Sequence, residues 1–174
     1  GFGPRGPAQV VTAEVVEGTL DDRIEAVGDG RALRTATLSS EVSGEIVEVA
    51  RETGGYVEAG RPILRLEDEA QRIALERARL MREDAQDEVD RVERLQVTGS
   101  VTEVRLREAR LALRTAELEV RQAEYELEQR TIRAPFSGWV GLLDVAAGDR
   151  LSPQATVATI TDRSEILIDF RVPE

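Results

Sequence analysis

The chain has 174 residues, 41% of them hydrophobic and 3% aromatic, with 34 acidic against 23 basic residues for a formal charge of −11. That length holds one ordinary domain or two small ones, and so acidic a balance argues against nucleic acid as a partner, because phosphate contacts need clustered cations. All 23 basic residues are arginine, with no Cys, His or Lys, which excludes disulfides, thiolate and imidazole chemistry, Schiff bases and any prosthetic group carried on a lysine.

In chain order, GFGPRGP at 1–7 reads as a flexible lead-in. No run of about 18 apolar residues follows, and no signal-peptide h-region, so either the chain is cytosolic or a targeting segment precedes residue 1. Val11, Ala13 and Val15 alternate with polar residues, and Leu20, Ile24 and Ala26 form a second run after Gly18, so residues 8–37 read as short strands. Gly28-Asp29-Gly30 then marks a turn. From 38 to 68, β-branched residues are punctuated by Gly44, Gly54-Gly55, Gly60 and Pro62, the pattern of an all-β segment with tight turns.

Between 69 and 130 the character changes. Ala, Leu, Glu, Arg and Gln dominate, proline is missing, and Gly99 is the one glycine. The spacing predicts two helices with a turn near 97–101, Gly99 closing the first and Thr102 capping the second. In the second helix Leu106, Ala109, Leu113, Ala116, Val120, Ala123 and Leu127 form an unbroken heptad seam. In the first, Ala74, Ala78, Met81, Ala85, Glu88, Val92 and Leu95 form a seam interrupted by Glu88. The two should pack antiparallel as a rod of roughly 45 Å. Val104, Leu111, Leu118 and Tyr125 recur every seven residues away from the seam. A solitary hairpin leaves that stripe in water, so it is expected to pack against a neighbouring protomer or a partner's helix.

After the hairpin, residues 131–162 return to β-like sequence. Residues 42–68 and 136–162 align without a gap, Ser43, Gly44, Gly54 and Asp68 matching Ser137, Gly138, Gly148 and Asp162. Apolar class is kept at Val42/Phe136, Ile46/Val140, Val49/Leu143, Val57/Leu151, Ile63/Val157 and Leu66/Ile160. Two similar β-halves imply one structural unit split by the hairpin. The expectation to be checked is that they close on each other as one sandwich. Residues 163–174 begin an alternating strand, ILIDFRV.

The half-motifs resemble those of biotinyl-lipoyl domains, whose halves meet at a turn bearing a modified lysine. Here the hairpin occupies that turn and there is no lysine to modify. TIRAPFSGWVG and VSGEIVEVARETGGYVEAGRPILRLED together resemble the segments by which the periplasmic adaptor, or membrane-fusion (hemolysin D-like), family enters and leaves its lipoyl domain. The resemblance implies an α+β fold: a lipoyl-like β-sandwich split by an antiparallel coiled-coil hairpin. The strands at 8–37 and 163–174 would be parts of an incomplete β-barrel or membrane-proximal region. It also implies an adaptor, without catalysis or cofactor, joining an inner-membrane efflux transporter to an outer-membrane channel. Such an adaptor lies in the periplasm, held to the inner membrane by a segment outside this chain, and assembles as a homo-oligomer, a hexamer or a trimer of dimers.

Adaptors of resistance-nodulation-division pumps are similar at the hairpin tip, where an arginine, a leucine four residues on and a serine seven beyond engage the channel. In RVERLQVTGSVT those positions are Arg91, Leu95 and Thr102, the threonine departing from the family's serine while keeping a hydroxyl. From the residues alone, Arg91 is equally one of many solvated helix arginines, Leu95 a seam residue and Thr102 a cap. An adaptor of an ABC-type exporter or secretion system, and a purely structural coiled-coil spacer, stay open as alternatives. No phosphate loop, nucleophile elbow or metal-ligand cluster points to an enzyme.

Overall fold

The computed structural model describes residues 11–18, 28–50 and 53–170. It divides into two units, one comprising 1–29 and 168–174 and the other 30–167. Of the first, residues 11–18 are exposed and lie outside any strand or helix, so the alternation of Val11, Ala13 and Val15 does not produce a strand there. Residues 8–10 and the run Leu20, Ile24 and Ala26 lie outside the described residues. Gly28-Asp29-Gly30 is not a turn; it opens strand β1 (Gly28–Ser39).

The second unit contains the β-halves and the hairpin. β2 (Gly44–Val49), β3 (Tyr56–Val57) and β4 (Pro62–Leu66) come from the first half, and β5 (Thr131–Arg133), β6 (Gly138–Val140), β7 (Arg150–Leu151) and β8 (Thr156–Phe170) follow the hairpin. They form two four-stranded sheets, ordered β1-β8-β6-β3 and β5-β4-β2-β7. Each sheet therefore mixes the halves, and a single core of Ile46, Val57, Ile63, Leu64 and Leu66 with Val140, Leu151, Val157 and Ile160 fills the space between. The expected sandwich is formed, and all six apolar pairs of the sequence alignment lie in this core or pack against it.

The exchange is reciprocal. Gly44 pairs with Leu151 while Val57 pairs with Gly138, and Glu45 pairs with Arg150 while Tyr56 pairs with Trp139. Backbone bonds repeat the pattern: Ile46 N–H donates to Asp149 at 2.8 Å, and its counterpart Val140 donates to Gly55 at 2.9 Å. The halves are thus related by a pseudo-twofold, which also matches β1 to β5 at the two sheet edges. The turns obey it as well. Gly54 and Gly148 have φ of +79° and +95°, and Gly60 at +79° has as its counterpart Gln154 at +66°, the one non-glycine with positive φ among the described residues. Gly44 begins β2 rather than making a turn; its role is close packing, an added Cβ lying 3.2 Å from the Leu66 and Arg130 side chains.

Equivalent carboxylates mark the two exits from the sandwich. Asp68, buried where β4 gives way to the first helix, takes a bidentate pair from Arg72 at 2.9 Å, and Arg65 lies 3.5 Å away. These arginines, the Arg72 hydrogen bonds foremost, hold the Asp68 carboxyl below the usual carboxylate range. Its counterpart Asp162 accepts bonds from the Ser164 hydroxyl (2.7 Å) and N–H (3.0 Å) and from Arg34 (2.8 Å), which together hold it at about 2. Arg34 also lies over the Phe136 ring, 4.8 Å from its centre. One exit continues as a helix and the other as the outer part of β8, paired with β1.

α1 (Glu69–Val97) and α2 (Glu103–Glu128) form the antiparallel hairpin. Its α2 seam is the expected one: Leu106, Ala109, Ala116, Val120 and Ala123 are buried, and Leu113 and Leu127 half-buried. The α1 seam differs at alternate positions. Ala78, Ala85 and Val92 belong to it, but the row beside them is Leu75, the exposed Arg82, Val89 and the half-buried Gln96, while Met81 and Leu95 are 55% and 41% exposed. Rows one residue apart are both compatible with Ala78, Ala85 and Val92. The observed row puts Leu75 and Val89 where the other would put Ala74 and Glu88, and so moves that charge from the seam to its edge. There cross-helix ion pairs flank the seam: Arg79–Glu124 (3.0 Å) and Glu93–Arg110 (2.7 Å) on one side, Glu88–Arg105 (2.7 Å) on the other. None of the helices among the described residues is long and apolar enough to cross a membrane.

Candidate functional site

The hairpin tip is built by two reciprocal caps. α1 ends with Gly99 at φ +76°, its N–H bonded to Gln96 O (2.9 Å) and that of Ser100 to Leu95 O (3.0 Å), the paired pattern of a Schellman cap. The Thr98 hydroxyl donates to Leu95 O at 2.8 Å, leaving the last turn well satisfied. α2 begins with Thr102 in extended geometry, its hydroxyl oxygen accepting from Arg105 N–H at 3.3 Å. Val97, 89% exposed, stands at the end of this turn.

Arg91, Leu95 and Thr102 are all exposed within this region. Arg91 forms an ion pair with Glu88, and Glu88 at the same time receives Arg105 from α2. A half-buried carboxylate therefore joins two guanidinium groups from opposite helices on the side of the hairpin that carries Leu95. Sequence reasoning missed Glu88 and Arg105. The signal was there, since a charge interrupting an apolar seam, with arginines three residues on and on the facing helix, marks a seam-edge ion pair. Thr102 is already committed to capping through its oxygen lone pair, but its hydroxyl proton is left for a second partner.

The stripe is exposed: Val104 53%, Leu111 58%, Leu118 57% and Tyr125 58%. It runs along α2 opposite the seam, on the surface turned away from α1. Tyr125 at its base borders an open hollow lined by Leu38, Ile132 and Pro135 where α2 meets the sandwich. Among the described residues no group of three or more His, Cys, Asp or Glu is arranged to hold a metal ion.

The chain is thus a two-layer sandwich of reciprocally paired halves, opened at one turn by a helical hairpin. Residues 34–162 match the family described as "CzcB-like, barrel-sandwich hybrid domain", and the chain belongs to that family. Among solved structures, a MacA-MexA chimeric protein containing the Pseudomonas aeruginosa MexA α-hairpin domain superposes with a TM-score of 0.76 at 20% identity, over 84% of this chain and 55% of that one. A putative efflux transporter from Bacteroides eggerthii gives 0.72 at 17% identity, over 91% of this chain and 51% of that one. A membrane fusion protein of Streptococcus pneumoniae gives 0.63 at 14% identity, covering 84% and 67%. An uncharacterized protein of Haemophilus influenzae is 22% identical over 171 residues, 98% of this chain and 45% of its own length. The chain thus spans about half the length of several relatives it matches.

Proposed function

We propose that this chain is the hairpin-bearing part of a periplasmic adaptor, which joins an inner-membrane efflux transporter of the resistance-nodulation-division type to an outer-membrane channel. The observation that carries this reading is the split sandwich itself, two halves closed on each other so that residues 69–130 leave as a paired helical rod. Arg91, Leu95 and Thr102 are the channel contact. The guanidinium offers charge-assisted hydrogen bonds to carbonyls, Leu95 a small apolar surface, and Thr102 its remaining hydroxyl proton. Single contacts of this kind are weak, and a ring of protomers multiplies them through effective concentration. The stripe from Val104 to Tyr125 is the packing surface between protomers or against a partner's helices. The paired strands β1 and β8 lead into a β-barrel and membrane-proximal region, and a segment outside this chain holds the adaptor to the inner membrane.

The test is in-cell cross-linking from Val97→Cys, an exposed tip position whose backbone tolerates any side chain; Gly99, at positive φ, is unsuited. The full-length protein should label an outer-membrane channel, and Arg91→Ala should reduce that label. Labelling confined to inner-membrane or cytosolic proteins refutes the reading.

A further inference from the structure

The hairpin carries two outward rows of charge that its own structure leaves unused. On α1, Glu76, Glu83 and Asp90 recur every seven residues and are exposed. On α2, Arg107, Arg114 and Arg121 do the same. Among the described residues none of these six makes an ion pair, Asp90 accepting only a bond from Gln86. Beside each row runs an apolar one. Glu76 and Glu83 follow Ile73 and Leu80 by three residues, and Arg107, Arg114 and Arg121 follow Val104, Leu111 and Leu118 by three, so each charge flanks an apolar neighbour on the helix surface. Ile73 and Leu80 are 58% and 60% exposed, as open as the α2 stripe.

From this juxtaposition we infer that the outer face of α1 is the docking surface for the outer face of α2 in a second copy of the chain. The pairing deepens the packing role proposed above for the stripe and is independent of the tip contact. Both charge rows lie on the side of the hairpin bridged by Arg79–Glu124 and Glu93–Arg110. When two hairpins stand side by side in the same orientation, apolar row meets apolar row and the acidic row meets the basic one. The buried seam fixes the axial levels, Leu75 and Ala78 clustering with Val120 and Ala123, and Val89 and Val92 with Leu106 and Ala109. By that register Glu76, Glu83 and Asp90 stand one residue from the levels of Arg121, Arg114 and Arg107, an offset of about 1.5 Å. Leu80 falls level with Leu118, and Ile73 with Tyr125. The rows therefore complement each other without any axial slip of one copy against the next. Different faces meet, so the contact is heterologous and each copy keeps a free face for the next, as a ring or an open array requires.

The cysteine-free chain makes the test direct. Leu80→Cys and Leu118→Cys lie on opposite outer faces of one hairpin, so a disulfide between them reports two copies. Mild oxidation of the double variant should give a ladder of dimers and larger species on a non-reducing gel. Adding Glu83→Arg and Asp90→Arg should cut its yield about tenfold, and adding Arg107→Glu and Arg114→Glu to that background should restore it. Neutral Glu83→Gln and Asp90→Asn variants should lie between, and cover the case in which reversal disturbs the helix. A missing ladder, a ladder indifferent to the charges, or dimers formed by Leu80→Cys alone overturns the inference. Loss of channel labelling from Val97→Cys with the ladder intact would count only against the tip contact.

Discussion

Gly138 and Gly44 occupy equivalent places in the two halves, yet alanine should be tolerated at only one of them. A Cβ at Gly138 would lie 2.7 Å from Thr161 O and 3.0 Å from its carbonyl carbon, backbone atoms of the neighbouring β8 strand. At Gly44 the nearest atoms are side-chain ones, Arg130 Nη1 and Leu66 Cδ1, both at 3.2 Å. Overpacking against a paired strand that cannot retreat costs about 2–3 kcal/mol, and the loss of glycine's freedom in the unfolded chain returns about 0.4–1 kcal/mol. Gly138→Ala should therefore destabilise the sandwich by about 1–2.5 kcal/mol, a fall in Tm of about 2–10 °C. Gly44→Ala, with small side-chain shifts offset by the same return, should stay within about 0.5 kcal/mol of the parent. Trp139, the one tryptophan, sits in β6 at Cα-partner register with Tyr56 and Thr161, so its fluorescence in urea follows this core rather than the hairpin. If Gly44→Ala costs as much as Gly138→Ala, the close approach of Thr161 is not what fixes the residue.

Gln154→Gly should raise stability by about 0.5–1 kcal/mol, since Gln154 holds the φ of +66° that its counterpart Gly60 adopts without a Cβ; a thermal melt that does not rise counts against it. Asp162, held at about 2 against an ordinary 3.8, lends stability that is in full force above about pH 4 and drains away as pH falls toward 2. Asp162→Asn should lower stability at neutral pH and flatten the acid dependence over that window, read by Trp139 fluorescence. Thr102→Ala should cost about 1 kcal/mol of hairpin stability through loss of the α2 cap, with Thr102→Ser near the parent, as followed by helical circular dichroism.

Elements whose local chemistry has one reading were legible from the residues alone. The α2 seam was legible because every one of its seven positions is apolar and no neighbouring row competes. The hairpin turn was legible because Gly99 and Thr102 each suit one capping geometry, and the repeat because glycines and apolar phase coincide over a gapless alignment. The tip residues were named only through resemblance, whereas Glu88 and Arg105, which join Arg91 to both helices, required the fold. Tertiary structure decided the rest. The α1 row was settled by α2, since Ala78, Ala85 and Val92 serve two adjacent rows equally and only burial against a partner selects Leu75 and Val89. That the first half would give β2 to one sheet and β3 to the other, and the second half split β6 and β7 in the same way, is written in neither half, because strand pairing depends on what the rest of the chain brings alongside. Gln154 shows the same dependence: a residue with no intrinsic taste for positive φ is held there because the symmetric closure of the two halves fixes the turn around it.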